Sequence, residues 1–285
     1  MEDFQYLRPA TIAAAVLLLA QHKGKARLIA GGQSLIPMLR SRLVRPAYVI
    51  GLEAIPELKR IEPRHGGLRV GAMVTHHEVL TSPLVKERAT ILSDAEILVG
   101  SPAVRNLGTL GGNLCHNEVG ADPPPALLAL GASAVIASPH GERRLPLETF
   151  FRGFLETALG EDEILAYIDT SALPSGSVWS YLKCRQRSVD KAIVGVGVVL
   201  RIEGGVCRDV RVALGGVAPV PFRAKRAETA LMGERPNDRI IEEAAMAAVA
   251  EAEPMSDAHA SADYRRKMIG VFTRRVLRQA LEIKS

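Results

Sequence analysis

The sequence predicts an α+β protein: two α/β units followed by a C-terminal α+β domain. Three observations carry the prediction. Up to about residue 170, short apolar runs alternate with helical periodicity. A stretch of linker composition, Leu173-Pro174-Ser175-Gly176-Ser177, then interrupts the chain. Beyond it extended runs come first and helices after, the order of an α+β domain. The expected units are residues 1–55, 56–174 and 175–285, and 285 residues are enough to give them sizeable cores.

The elements follow in order. Thr11 can cap a helix running to about His22, which Gly24 stops. Residues 26–30 form a short apolar strand. Residues 34–43 restart as a helix, with Leu35, Met38, Leu39 and Leu43 at helical spacing and Pro37 tolerated in the first turn. Residues 48–51 read as a buried strand. The second unit opens at residues 58–61, turns at Gly66-Gly67 and continues as a strand over 68–74. Helical segments are expected near residues 76–80, 83–92 and 94–99, a short helix at 126–130 after Pro123-Pro124-Pro125, and strands at 134–137 and 164–168. In the last third, residues 178–182, 193–202 and 206–214 read as strands, the latter two joined through Glu203-Gly204-Gly205 as a hairpin. Helices near 224–231 and 238–252 precede a long final helix that Ser261 can cap.

Two Gly-Gly turns stand out: Ala30-Gly31-Gly32-Gln33-Ser34 and Thr109-Leu110-Gly111-Gly112-Asn113. Paired glycines let backbone N–H groups approach a diphosphate with no Cβ in the way, and the flanking hydroxyls and amides add donors. The first turn lies between a strand and a helix, where free N–H groups can face an anion. It is neither G-x-G-x-x-G nor a P-loop, and an ordinary strand-to-helix turn is the plain alternative. Asp122, nine residues after Asn113, can accept from ribose hydroxyls or simply start the proline-rich turn.

Composition excludes several classes. Aromatics at 4% with a net charge of +5 do not make a nucleic-acid-stacking surface. Cys115, Cys184 and Cys207 are too scattered for a disulfide framework, a zinc site or an iron–sulfur cluster, and they fit a reducing cytoplasm. The apolar run at residues 12–20 follows Glu2 and Asp3 rather than a basic segment, and falls short of the ~20 residues that span a bilayer. No membrane span, no nucleic-acid partner and no metal ligand set are therefore expected.

Beyond these readings, A-G-G-Q-S-L-I-P-M-L-R-S-R-L, G-A-M-V-T, A-V-R-N-L-G-T-L-G-G-N-L, Y-L-K-C-R-Q-R-S-V-D-K-A and S-A-D-Y-R-R occur in that order along nearly the whole chain. Together they resemble the FAD-binding medium subunit of molybdenum hydroxylases, a group that includes carbon monoxide dehydrogenase, quinoline oxidoreductase and the flavin portion of xanthine dehydrogenase. The resemblance implies a PCMH-type fold like that of vanillyl-alcohol oxidase, in which two α/β subdomains clamp FAD and an α+β domain follows. It implies that Ala30, Gly31, Gly32, Gln33 and Ser34 wrap the diphosphate from one side, and Thr109, Leu110, Gly111, Gly112 and Asn113 from the other. Asp122 then matches a FAD-contacting aspartate, Leu165 a backbone contact to the isoalloxazine or its neighbour, and Lys183 a lysine near the ring.

A cation there would favour the anionic reduced flavin and raise its potential. The plain alternatives are core packing for Leu165 and a solvated strand edge for Lys183. His76 and His77 read as surface or helix-cap residues. The segment from Cys115 to Ala121 departs from the family's compact Gly/Ala-Asp-Pro turn, so the surroundings of the flavin edge differ there.

The resemblance further implies a division of labour. A large partner holds molybdopterin, a small partner holds two [2Fe–2S] clusters, and this chain supplies FAD as the electron exit, in a dimer of heterotrimers. No catalytic side chain is expected in it. The alternative is a self-sufficient flavin oxidase or reductase of the same fold. The basic residues Arg265, Arg266, Lys267, Arg274, Arg275 and Arg278 of the final helix are candidates for partner docking or for a solvated face.

Overall fold

The computed structural model describes residues 3–282. The α+β class holds, as three main sheets and a two-stranded ribbon, Phe151–Gly153 with Glu156–Thr157, with helices set around them. The first sheet is parallel, in the order Gln5–Leu7, Tyr48–Gly51, Ala26–Ile29. Helix Ile12–Gln21 connects its first two strands in sequence, and the Thr11 hydroxyl accepts from the Ala14 amide at 3.1 Å. Its buried face, Ala15, Val16 and Leu19, packs in one cluster with Ala137, Ile164 and Ala166 of the second sheet. Apolar burial thus holds the first unit on the second.

The second sheet has the order Ile61–Arg64, Gly67–Gly71, Ile164–Asp169, Ser133–Ser138, Gly141–Pro146, and every neighbouring pair is antiparallel. The α/β character expected of this unit therefore lies in mixed helix and strand rather than in parallel crossovers. One cause is local. His65 and Gly66 have φ of 48° and 80°, the two-residue turn that joins antiparallel strands tightly. Between Gly71 and Ser133 the chain makes six short helices, from His76–Thr81 to Pro123–Ala129.

The third sheet, antiparallel in the order Ser177–Cys184, Val194–Glu203, Val206–Gly215, Phe222–Arg223, uses both faces. Val194, Val196, Val198 and Leu200 alternate toward helices Lys225–Leu231, Asp238–Glu251 and Ala262–Glu282. The opposite face is cleared by glycine for helix Pro123–Ala129, all of whose residues are buried. A Cβ on Gly197 would sit 3.1 Å from the Pro125 carbonyl oxygen, and one on Gly215 2.7 Å from the Pro125 ring.

Several expected elements change. The helix expected over 34–43 spans Leu35–Arg40, and Arg42 takes φ 60° just after it. The helix expected over 83–92 divides into Pro83–Arg88 and Thr90–Glu96 at Ala89. Residues Pro102–Leu107 and Leu110–His116 are helical. On the final helix Arg265 is 4% exposed, with its guanidinium donating to the Ile193 and Gly216 carbonyls at 2.7 Å. It ties together the ends of the third sheet's two central strands and is no docking residue. Among the described residues no helix is long and apolar enough to cross a membrane.

Candidate cofactor cleft

The first turn leaves the carboxyl end of Ala26–Ile29, the edge of a parallel sheet where open α/β folds present their crevice. Gly32 has φ +71°, a left-handed conformation that favours glycine. Among the described residues the amides of Gly31, Gly32, Gln33 and Ser34 donate to no protein acceptor. Four consecutive free donors at a bend suit an anion. Gln33 folds its side-chain amide onto the Gly31 carbonyl at 3.3 Å, and Ser34 precedes the helix without capping it.

The second Gly-Gly pair is not a turn. It lies in the first turn of helix Leu110–His116, whose N-cap is Thr109. Its donors are already used: Leu110 N–H to Val74, Gly111 N–H to Ala72, Gly112 N–H to the Thr109 hydroxyl and Asn113 N–H to Thr109, all at 2.9–3.0 Å. Here glycine serves close approach, since a Cβ on Gly111 would overlap Ala72. Asn113 is different, because its Oδ1 is buried without a hydrogen-bond partner.

The two segments meet. A Cβ on Gly31 would overlap the Leu107 carbonyl, just before the second segment, and a Cβ on Gly112 would lie 3.6 Å from Ala30. Free amides on one wall and glycine clearance beside them fit the diphosphate of a dinucleotide, and the orphaned amide oxygen on the other wall fits one of its hydroxyl donors. Leu165 is buried in the second sheet's core, so any ligand contact there runs through its backbone.

Asp122 and Lys183 come together as one buried ion pair, Nζ to Oδ2 at 2.7 Å, with side chains 4% and 1% exposed. Tyr181 donates its hydroxyl to Oδ1 at 2.8 Å, and Lys183 also donates to the Leu98 carbonyl at 2.9 Å. Burial drives the Asp122 carboxyl up, Lys183 and Tyr181 pull it back, and the outcome is a carboxyl raised to about 6. Burial and the neighbouring carboxylate push the Tyr181 hydroxyl well above its ordinary range.

Two residues of this neighbourhood are not evident from sequence. His76 is 3% exposed, not on the surface, and its Nδ1 lies 2.7 Å from Oε2 of the fully buried Glu96. Burial alone would lower the imidazole's affinity for a proton, but the Glu96 carboxylate outweighs it and holds the ring above its usual 6.5. The available signal was Glu96 itself, a carboxylate one turn beyond Leu92 in an apolar helical row. His77 is exposed. In the altered segment, burial pushes the Cys115 thiol up to about 12, which leaves no nucleophilic thiolate. Among the described residues no cluster of His, Cys, Asp and Glu is suited to a metal ion.

Comparison with known proteins agrees with this geometry. Residues 2–170 match the family described as the FAD binding domain in molybdopterin dehydrogenase, and residues 179–280 the CO dehydrogenase flavoprotein C-terminal domain. The chain is 36% identical to the carbon monoxide dehydrogenase medium chain of Hydrogenophaga pseudoflava, over 97% of this chain and 96% of that one. It is 30% identical to the glyceraldehyde dehydrogenase medium chain of Sulfolobus acidocaldarius, over 97% and 98%. The solved carbon monoxide dehydrogenase from Hydrogenophaga pseudoflava superposes with a TM-score of 0.96 at 37% identity, covering 99% of this chain and 98% of that one. Quinoline 2-oxidoreductase from Pseudomonas putida 86 gives 0.93 at 37% identity, covering 99% and 98%. This chain therefore belongs to the FAD-binding medium subunits of the molybdenum hydroxylase family.

Proposed function

We propose that this chain works beside a large molybdopterin-binding subunit and a small iron–sulfur subunit, as part of a dimer of heterotrimers, and that FAD lies in the cleft between the two glycine segments. Bound flavin supplies the redox chemistry: it takes electrons singly from a cluster and gives up two together to an external acceptor. The chain's own residues bind and orient it. The amides of residues 31–34 hold the diphosphate from one wall, and from the other the unpaired Asn113 oxygen accepts from a hydroxyl of the sugar or ribityl chain. Gly31 and Gly112 keep the walls close, and Gly111 seats the second wall on Ala72. Leu165 contributes backbone, while Lys183 sets the local charge with Asp122 as its fixed counterion. No acid–base side chain is assigned a step. Three free cysteines support residence in a reducing cytoplasm.

The observation that carries the reading is the row of four unpaired amides in a bend that approaches the second glycine segment closely. Its test is purification of the full chain after FAD loading. A yellow chain that keeps its flavin through gel filtration, binds two further subunits and turns over no organic substrate alone is the expected result. A colourless chain, or one that oxidises a small substrate at full rate unaided, overturns it.

A further inference from the structure

Below the cleft lies a buried set of charges that flavin binding itself does not require. The His76 amide donates to the Gly108 carbonyl at 3.0 Å, and a Cβ on Gly108 would sit 3.0 Å from the imidazole carbon Cδ2. The ring therefore underlies the Leu107-Gly108 segment that meets the first turn. On its inner side His76 holds Glu96, whose second oxygen, Oε1, is fully buried without a partner. Two residues beyond Glu96, the Leu98 carbonyl receives Lys183, which also pairs with Asp122.

The charged and titratable groups facing His76 come from every packed element. They are Glu96 from the helix behind it, Arg105 from helix Pro102–Leu107, and Asp122 with its partners Lys183 and Tyr181. Arg105 is tied to the Val99 and Gly100 carbonyls at 2.9 and 3.3 Å. With His76 neutral, Arg105 and Lys183 match Glu96 and Asp122 in number, and protonation of the ring leaves the set one positive charge in excess. The neutral ring, with its proton on Nδ1, still donates to Glu96, so protonation adds charge rather than a new partner. Such a set resists a change of charge unless a second charge changes nearby.

We propose that His76 and Glu96 are positioning residues of the flavin reaction, and that His76 takes up a proton when flavin in the adjoining cleft is reduced. The inference rests on the placement of FAD given above. The balance is as follows. Two electrons from a partner's iron–sulfur cluster and one proton convert oxidised flavin to its anionic two-electron-reduced form. A second proton, from solvent, converts neutral His76 to imidazolium. Neither side chain touches the flavin. Their charge is felt through the Asp122–Lys183 pair and the Gly108 segment, and Glu96 sets the pH window in which His76 titrates.

The test is the midpoint potential of the full, FAD-loaded chain, followed by flavin absorbance with dithionite as reductant across roughly pH 6 to 9. A tenfold change in proton concentration is worth about 30 mV per proton for a two-electron couple. The wild type is expected to show a segment of doubled slope, about 59 mV per pH unit, flanked by segments at half that. His76→Gln removes the steep segment. Glu96→Gln moves it to lower pH by about 1 to 3 units, as loss of an opposite charge demands. Retained flavin with the same profile in wild type and His76→Gln overturns the inference and leaves the FAD site standing. A wild type that retains no flavin overturns both. Should His76→Gln not fold, NMR titration of the His76 ring in the wild type decides. Equal titration with oxidised and reduced flavin overturns the proposal, and a shift to higher pH on reduction supports it.

Discussion

The two glycine pairs look alike in sequence and answer opposite demands. At Gly31-Gly32 the backbone bends through a positive φ and leaves four amides without protein acceptors. At Gly111-Gly112 the backbone is helical, its amides are consumed by Ala72, Thr109 and their neighbours, and the missing Cβ admits the end of an adjacent strand. One pair leaves its donors open and the other has spent them on packing. A Gly-Gly dipeptide therefore says that a Cβ is unwelcome without saying what takes its place.

The contrast can be broken most directly at the second pair. Gly111→Ala drives a Cβ into Ala72 and is expected to cost about 3 kcal/mol of stability in urea denaturation. Gly112→Ala, which faces Ala30 across the cleft, should cost less than about 1 kcal/mol while lowering FAD affinity at least about tenfold in a flavin titration. Equal stability losses in the two variants would show that both glycines only pack.

Amide hydrogen exchange sharpens the comparison further. In the flavin-free chain the amides of Gly31, Gly32, Gln33 and Ser34 should exchange on the order of a hundredfold faster than those of Gly111 and Gly112, and FAD should slow the first set alone. Protection of the first set before FAD is added would remove it from the site.

The smallest effect is the pH dependence of the floor under the second pair. The folded state holds Asp122's proton more tightly than its ordinary 3.8 and His76's more tightly than 6.5. Because the folded chain binds more protons, both contributions fall as pH rises. That of Asp122 is present below about 4 and lost through about 6, and that of His76 is present below 6.5 and lost as pH passes its raised value. Asp122→Asn should flatten the acid limb of stability against pH, and His76→Gln the neutral one. A variant profile that keeps the wild-type slope in its own window contradicts the assignment.

Much of the architecture was legible. Thr11 and Ser261 do cap their helices, and residues 203–206 do turn a hairpin, because caps and turns are set by neighbouring residues. What escaped depends on distant partners. Ala89 interrupts a helical row at φ −147° and ψ 44° with no Gly or Pro to announce it. The strand Gly141–Pro146 is almost wholly exposed and polar, so it shows no apolar alternation. The site divided in the same way. The glycines and Lys183 stand out as candidates from motifs, whereas the His76–Glu96 contact joins residues 20 apart and exists only once helices His76–Thr81 and Thr90–Glu96 pack together.

The proline triplet has a consequence for Asp122. An aspartate just before a helix ordinarily folds back to satisfy the second or third amide of that helix. Here those positions are Pro124 and Pro125, which carry no N–H, and Asp122 makes no such bond. With nothing local to hold it, the carboxylate turns outward from its own helix and reaches across to Tyr181 and Lys183 on the third sheet. The ring constraint that starts the helix also releases the acid that joins two halves of the molecule.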